Sequence, residues 1–164
     1  MKKTAVLGLL LFAAAHSAAG EVTRHALPNN STFPIARAVE ASADSTLIWH
    51  SGTTPRPANE EAERGSPEYW GDTEAQTLSV LSRMDESFKE LGVGFGDVLK
   101  MTVFLVGDPK VGGSMDFDGF MRAYSQYFGT DEQPNLPARS TVQVAGLAAE
   151  GMLVEIEVVL ARPE

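Results

Sequence analysis

The sequence predicts a two-layer α+β sandwich with the element order β-β-α-β-α-β-β. Three observations carry this. Two amphipathic helical patterns flank an almost uninterrupted apolar run, short β-type runs precede the first helix and follow the second, and two helices suffice to cover one face of such a sheet. The composition fits one core, since the 164 residues are 43% hydrophobic and 21% charged.

Residues 1–20 read as a cleaved secretory signal. Lys2 and Lys3 form a short positive region, Ala5–Ala15 run apolar, and Ser17-Ala18-Ala19-Gly20 supplies small residues for cleavage. The apolar run is about half the ~20 residues a membrane-spanning helix needs, which opposes a retained anchor. The expectation is therefore one domain over 21–164, periplasmic or secreted and without a membrane anchor after cleavage. Acidic residues outnumber basic ones 22 to 13, a net charge of −9, and losing two lysines with the signal makes the domain more acidic still. Such a surface repels phosphate backbones and anionic headgroups, so nucleic acid is not an expected partner. The absence of cysteine removes disulfides, thiolate nucleophiles and Cys-type metal sites.

Along the domain, residues 21–34 contain Pro28, Asn29, Asn30 and Pro34 and read as an irregular lead-in. Two β-type runs, Arg37–Ala41 and Thr46–His50, suggest a hairpin turning at residues 42–45. Residues 52–71, rich in Pro and Glu, form a long loop insertion of the kind more often functional than idle. Within it Tyr69 and Trp70 could either cover a cleft or dock on the protein's own surface. The first helix starts at the N-cap Asp72, and Ala75, Leu78, Leu81, Met84, Phe88 and Leu91 recur at spacings of three and four before Gly92 ends it. Val98–Val106 is a largely buried strand, polar only at Lys100 and Thr102. Asp116 caps a second helix that should bury Phe117, Phe120, Met121, Tyr124 and Phe128.

Two strands close the chain, near 140–146 and 152–160. Their alternation places Val142, Val144, Val154, Ile156 and Val158 toward the helices, and Arg139, Thr141, Gln143, Glu155 and Glu157 on the opposite face. Bearing Leu153 and Val159 among these polar groups, that face is too apolar for free water and too charged for an ordinary core, so the sequence predicts a homo-oligomer.

Several motifs carry little chemistry. Gly92-Val93-Gly94-Phe95-Gly96 follows a helix and precedes a strand, the reverse of a dinucleotide fingerprint. Gly107–Ser114 lacks the G-K-[ST] ending of a phosphate loop. His25 and His50 are the only histidines after residue 20, without metal-ligand spacing, and His50-Ser51 adjacency makes no triad. No metal is expected. Arg139 stands apart, entering its strand from a stiff lead-in fixed by Pro137. Its guanidinium can clamp a carboxylate through two charge-assisted hydrogen bonds worth on the order of 1.5–3 kcal/mol each. Alternatively it forms a salt bridge to Glu155 or Glu157 across a terminal hairpin.

Pro137-Ala138-Arg139-Ser140-Thr141-Val142-Gln143-Val144-Ala145-Gly146-Leu147, followed by Leu153-Val154-Glu155-Ile156-Glu157, resembles the C-terminal signature of the Rid (YjgF) family of imine and enamine deaminases. Two further blocks, Ile48–Pro55 with its Ser-Gly-x-x-Pro ending and Gly96–Leu105 with Gly-Asp-Val-x-Lys-x-x-Val-Phe, resemble it in the same order. The resemblance runs from about Pro34 to Ala161. It implies the chorismate-mutase-like β-β-α-β-α-β-β fold, a homotrimer with ligand sites at the subunit clefts, and no cofactor. It also implies hydrolysis of small 2-imino or enamine acids to 2-keto acids and ammonia.

In these terms Arg139 matches the arginine that holds the substrate carboxylate, and Glu155 the acid that orients or activates water. Ser51 and Gly52 match pocket-lining positions, and Tyr124 joins the substrate-binding candidates. Three others depart from the pattern: Ile35 stands where the family has a tyrosine, Met121 where it has an asparagine, and Thr141 where it has a cysteine. These departures imply a more apolar pocket with a different side-chain preference. They also leave two alternatives, another hydrolytic deaminase or amidase on the same scaffold, and a non-enzymatic binding or chaperone-like module for small carboxylates.

Overall fold

In a computed structural model, which describes residues 21–162, the elements are β1 (Val22–His25), β2 (Ala38–Ala41), β3 (Leu47–Thr53), α1 (Pro67–Trp70), α2 (Thr73–Leu91), β4 (Val98–Val106), α3 (Phe117–Tyr124), β5 (Ala138–Val144) and β6 (Val154–Ala161). The expected signal at 1–20 lies outside the described residues. Among those described, no helix is long and apolar enough to cross a membrane. A four-stranded sheet in the order β3-β6-β4-β5 carries α2 and α3 on one face, which is the two-layer arrangement expected. The core lies between the layers, where Val80, Leu81, Met84 and Phe88 of α2 and Phe120 and Tyr124 of α3 meet Met101, Val103 and Leu105 of β4 and Val154, Ile156 and Val158 of β6. Burying each large apolar side chain contributes roughly 1.5–3 kcal/mol.

The helix limits follow their local signals. The Asp72 carboxylate accepts the Ala75 N–H at 3.0 Å, and Gly92 ends α2 at φ 70°, a left-handed cap that glycine adopts without strain. Asp116 caps α3 through the Gly119 N–H at 2.9 Å. The apolar stripe of α2 is correct from Leu81 to Phe88 but not in its first turns, where Ala75 is exposed and Thr73, Gln76 and Thr77 are buried. Gln76 explains the difference. Its amide donates to the Gly71 and Gly151 carbonyls at 3.0 and 2.9 Å, and its oxygen accepts the Leu153 N–H at 2.7 Å. A buried side chain that satisfies three backbone groups outweighs the apolar pattern there.

Residues 37–41 and 46–50 do not form the expected hairpin. Instead β2 pairs with β1, while β3 pairs with β6. The lead-in is thus partly a strand, held where Arg24 donates to the Gly96 and Val98 carbonyls at 2.7 and 3.2 Å. The terminal strands are not a hairpin either. β6 lies between β3 and β4, and β5 runs parallel to β4 at the sheet edge. β6 buries Val154, Ile156, Val158 and Leu160 and suits the sheet interior, whereas the polar β5 suits an edge.

This topology also reverses the expected parity of β5. Arg139, Thr141 and Gln143 pair in register with Met101, Val103 and Leu105 and so face the helix layer, while Val142 is 43% exposed on the other side. The parity of β6 is as expected, with Glu155 and Glu157 opposite Phe104 and Thr102 on the uncovered face. That face also carries Trp49, 73% exposed. Finally, the 52–71 insertion contains α1. Its Trp70 is buried and donates to the Glu150 carbonyl at 2.8 Å, so Trp70 docks on the protein's own surface.

Candidate active site

Arg139 is the second residue of β5. Its strand is fixed on one side by β4 and on the other by a bridge from Ala36 to Ala138. The side chain enters the helix layer, where its guanidinium carbon lies 4.3 Å from the centre of the Tyr124 ring, 5.0 Å from Phe120, 5.5 Å from Phe33 and 5.8 Å from Phe117. Cation–π attraction of this kind is worth about 0.5–2 kcal/mol, too little to replace the hydration of a buried cation. Nη2 lies 3.3 Å from the soft Met121 sulfur. Nη1 is buried without a hydrogen-bond partner, and so is the Thr141 hydroxyl, the next side chain along the same face of β5.

Among the described residues, Arg139 enters none of the five ion pairs. The salt bridge to Glu155 or Glu157 is not formed, because β4 separates β5 from β6 and those carboxylates occupy the opposite face. An unsatisfied buried donor costs about 1–3 kcal/mol, more when it is charged. Nη1 and the Thr141 hydroxyl are thus two unmet groups, two residues apart on one face of β5, and each can donate a hydrogen bond to an anion.

The electrostatics agree. Burial lowers the Arg139 pKa, with the Tyr124 hydroxyl acting in the opposite sense. Burial also pushes the Tyr124 phenol up to about 12, against the opposing pull of Arg139, so Tyr124 stays neutral and donates to the Pro34 carbonyl at 2.9 Å. That bond ties α3 to the segment carrying Phe33 and Ile35.

The structure therefore brings Arg139, Thr141, Met121 and Tyr124 together. Ile35 sits beside this group, lining a cavity of about 340 Å³ with Arg24, Phe33 and Leu136. Ser51, Gly52 and Glu155 form a second group. Gly52 lies so close to Glu155 that a Cβ there would fall on the carboxylate Oε1. Ser51 lines a cavity of about 220 Å³ on the uncovered face with Trp49, Lys100, Thr102 and Glu157. Within one chain the two groups lie on opposite faces of the sheet.

His50 belongs to neither group. Its ring is fixed between the Ser51 carbonyl and the Ser87 hydroxyl, each at 2.9 Å. No group of three or more His, Asp or Glu side chains among the described residues is arranged to hold a metal ion. Sequence reasoning missed Phe33, read as part of an irregular lead-in, and took Phe117 and Phe120 only as core. Their common target was hidden by the wrong parity of β5.

A family model described as Endoribonuclease L-PSP matches residues 29–162. A RutC family protein of Haemophilus influenzae is 31% identical over 125 residues, covering 76% of this chain and 85% of its own. Other RutC family relatives are matched over less of their length, the chain spanning 61 to 64% of them. Among solved structures, a Rid-family protein from Yersinia pestis superposes with a TM-score of 0.61 at 22% identity, over 84% of this chain and 97% of that one. Escherichia coli TdcF, solved with bound serine, superposes with a TM-score of 0.56 at 26% identity, over 80% and 91% of the two chains.

Proposed function

We propose, from the premise that the chain belongs to the Rid (YjgF/RutC) family, that it hydrolyses small 2-imino or enamine acids to 2-keto acids and ammonia. The observation that carries this is the buried, unpartnered Arg139 Nη1 beside the unpartnered Thr141 hydroxyl. A substrate carboxylate would accept from both groups and fix the imine carbon relative to them. Serine bound to TdcF is a carboxylate of comparable size, which supports the assignment. An imine carbon is already electrophilic. Water adds to it, a proton moves to nitrogen, and the carbinolamine collapses to ketone and ammonia, so positioning one water supplies most of what the protein must do. Glu155 is the proposed positioning group for that water.

Arg139 and Glu155 lie on opposite faces of one sheet, so a site containing both requires two copies of the chain. The mixed uncovered face, with its exposed Trp49 and Val142, supports packing against another subunit, and a homotrimer with clefts shared between neighbours is the proposed assembly. The net charge of −9 opposes a polyanionic substrate such as RNA and makes Arg139 a needed local anchor for a small anion. The signal-like pattern over residues 1–20 supports a location of the proposed reaction in the periplasm or outside the cell.

The decisive experiment generates imino acids in situ from amino acids with an L-amino-acid oxidase and follows their decay. Losing a two-point carboxylate clamp is expected to lower kcat/KM at least 100-fold in Arg139→Ala, about 2.7 kcal/mol. Wild type acting no faster than Arg139→Ala would refute the deaminase. The separation of Glu155 from Arg139 within one chain favours one second reading, a carboxylate-binding module. Carboxylate binding that depends on Arg139 without imine turnover would establish it. Light scattering reads the assembly, and a monomer would refute the shared cleft.

A further inference from the structure

Phe33 is the accessible member of the aromatic set around Arg139. Phe120 and Tyr124 are fully buried and Phe117 is half-buried, whereas Phe33 is 41% exposed and stacks on Phe117 with ring centres 6.4 Å apart and planes 16° from parallel. The floor of the Arg139 site is thus closed by α3, and the way in from solvent runs along Phe33 and Phe117.

The backbone under Phe33 is fixed from several directions. The Tyr124 hydroxyl donates to the Pro34 carbonyl at 2.9 Å, the Ile35 N–H donates to the Phe33 carbonyl at 2.8 Å, and Ala36 donates to the Pro137 carbonyl at 3.0 Å just before Arg139. What can move is the ring itself. Its partly exposed face makes that turn the least costly way to uncover Nη1, which is closed to solvent.

We propose that Phe33 is a specificity-determining residue: a carboxylate reaches Arg139 by turning the Phe33 ring aside, and the site selects acids with an aromatic or branched apolar side chain that stacks on Phe33 and Phe117. This rests on the assignment of Arg139 as the carboxylate anchor. A small acid gives up the stacking of Phe33 over the guanidinium and over Phe117 and returns little apolar contact. A bulky apolar acid restores it, and the Met121 thioether at the same guanidinium adds a soft, adaptable surface.

The test measures two quantities on wild type, Phe33→Ala and Phe33→Leu. The first is kcat/KM for imino acids generated from phenylalanine, leucine and alanine. The second is the calorimetric Kd of the corresponding stable 2-oxo acids, phenylpyruvate, 4-methyl-2-oxopentanoate and pyruvate. Wild type is expected to favour the bulky acids at least tenfold over the alanine-derived one in both. Phe33→Ala should reduce that ratio below threefold, with the larger loss falling on the bulky acids, and Phe33→Leu should fall between.

A wild-type preference below threefold, or a preference that Phe33→Ala leaves intact, overturns the proposal. So does an equal loss for all acids in Phe33→Ala with an unchanged melting temperature. If no imine is turned over but bulky 2-oxo acids bind preferentially through Phe33, the selectivity stands and only the deaminase assignment falls. Turnover without selectivity gives the converse.

Discussion

Replacing Gly52 by alanine should damage the chemistry while leaving the fold intact. The added Cβ would fall on Glu155 Oε1, at 2.9 Å from Cδ and 3.2 Å from Cγ. Gly52 lies outside the left-handed region, so alanine is unstrained there, and the group in the way is the far end of a flexible side chain. The carboxylate therefore swings away by about 1 Å or more, and stability changes by only about 0.5 kcal/mol. A misplacement of about 1 Å in a positioned group costs about 100-fold in rate, and removing a group that handles the attacking water costs roughly 100- to 10,000-fold.

Those magnitudes define a double-mutant cycle. Gly52→Ala alone is expected to lower kcat/KM for imine hydrolysis about 100-fold, with KM little changed because the carboxylate anchor is elsewhere. In a Glu155→Ala background the same substitution should do almost nothing, since the side chain it displaces is gone. The assay is imine decay under oxidase generation, with a thermal melt on each variant. Full activity of Gly52→Ala, or a further 100-fold loss in the Glu155→Ala background, would refute the assignment of Gly52 as the residue that makes room for a working Glu155.

Two further outcomes concern the scaffold. Gln76→Leu removes three hydrogen bonds to backbone groups at about 1 kcal/mol each, so differential scanning calorimetry should show a loss of about 3 kcal/mol and a melting temperature lower by roughly 6–12 °C; a loss under 1 kcal/mol would mean that water replaces the amide. Tyr124 has a raised pKa in the folded state, about 12, and an ordinary unfolded value near 10, so its contribution is complete below pH 10 and lost as pH rises toward 12. Denaturant melts from pH 9 to 12 should show wild type losing on the order of 2 kcal/mol more than Tyr124→Phe over that window, and equal losses would place the phenol in water.

Helices α2 and α3 and strand β4 were legible because each carries a local signal, whereas α1 was read as loop. Asp72, Asp116 and Gly92 satisfy helix-end groups through neighbours a few residues away, and Val98–Val106 is apolar enough to be a strand in any arrangement. What failed was pairing. A terminal pair of strands joined by a Gly-containing link reads as a hairpin, yet β6 inserts between β3 and β4 because its apolar residues need cover from both neighbours. The first turns of α2 failed for a related reason. Gln76 looks like a solvent-facing residue until the loop at Gly151 and Leu153, far away in sequence, supplies its partners.

The same dependence governed the site. Arg139 was identifiable from its lead-in and its family signature, but its surroundings were not, because the apolar Val142 and Val144 read as the helix-facing residues of β5 and left Arg139 on the wrong face. Placed correctly, it meets rings from residue 33 and from 117–124, and it leaves Nη1 unmet where an ordinary core would have supplied a carboxylate. The acidic residues of β6, two strands away, do not serve that purpose. Glu155 and Glu157 are held on the other face by the alternation of β6, and Gly52 keeps space for one of them there. Within one chain Nη1 therefore stays without a carboxylate partner, at a cost of about 1–3 kcal/mol or more. Under the proposed function, a ligand carboxylate at Arg139 and Glu155 from a second copy of the chain would together resolve that separation.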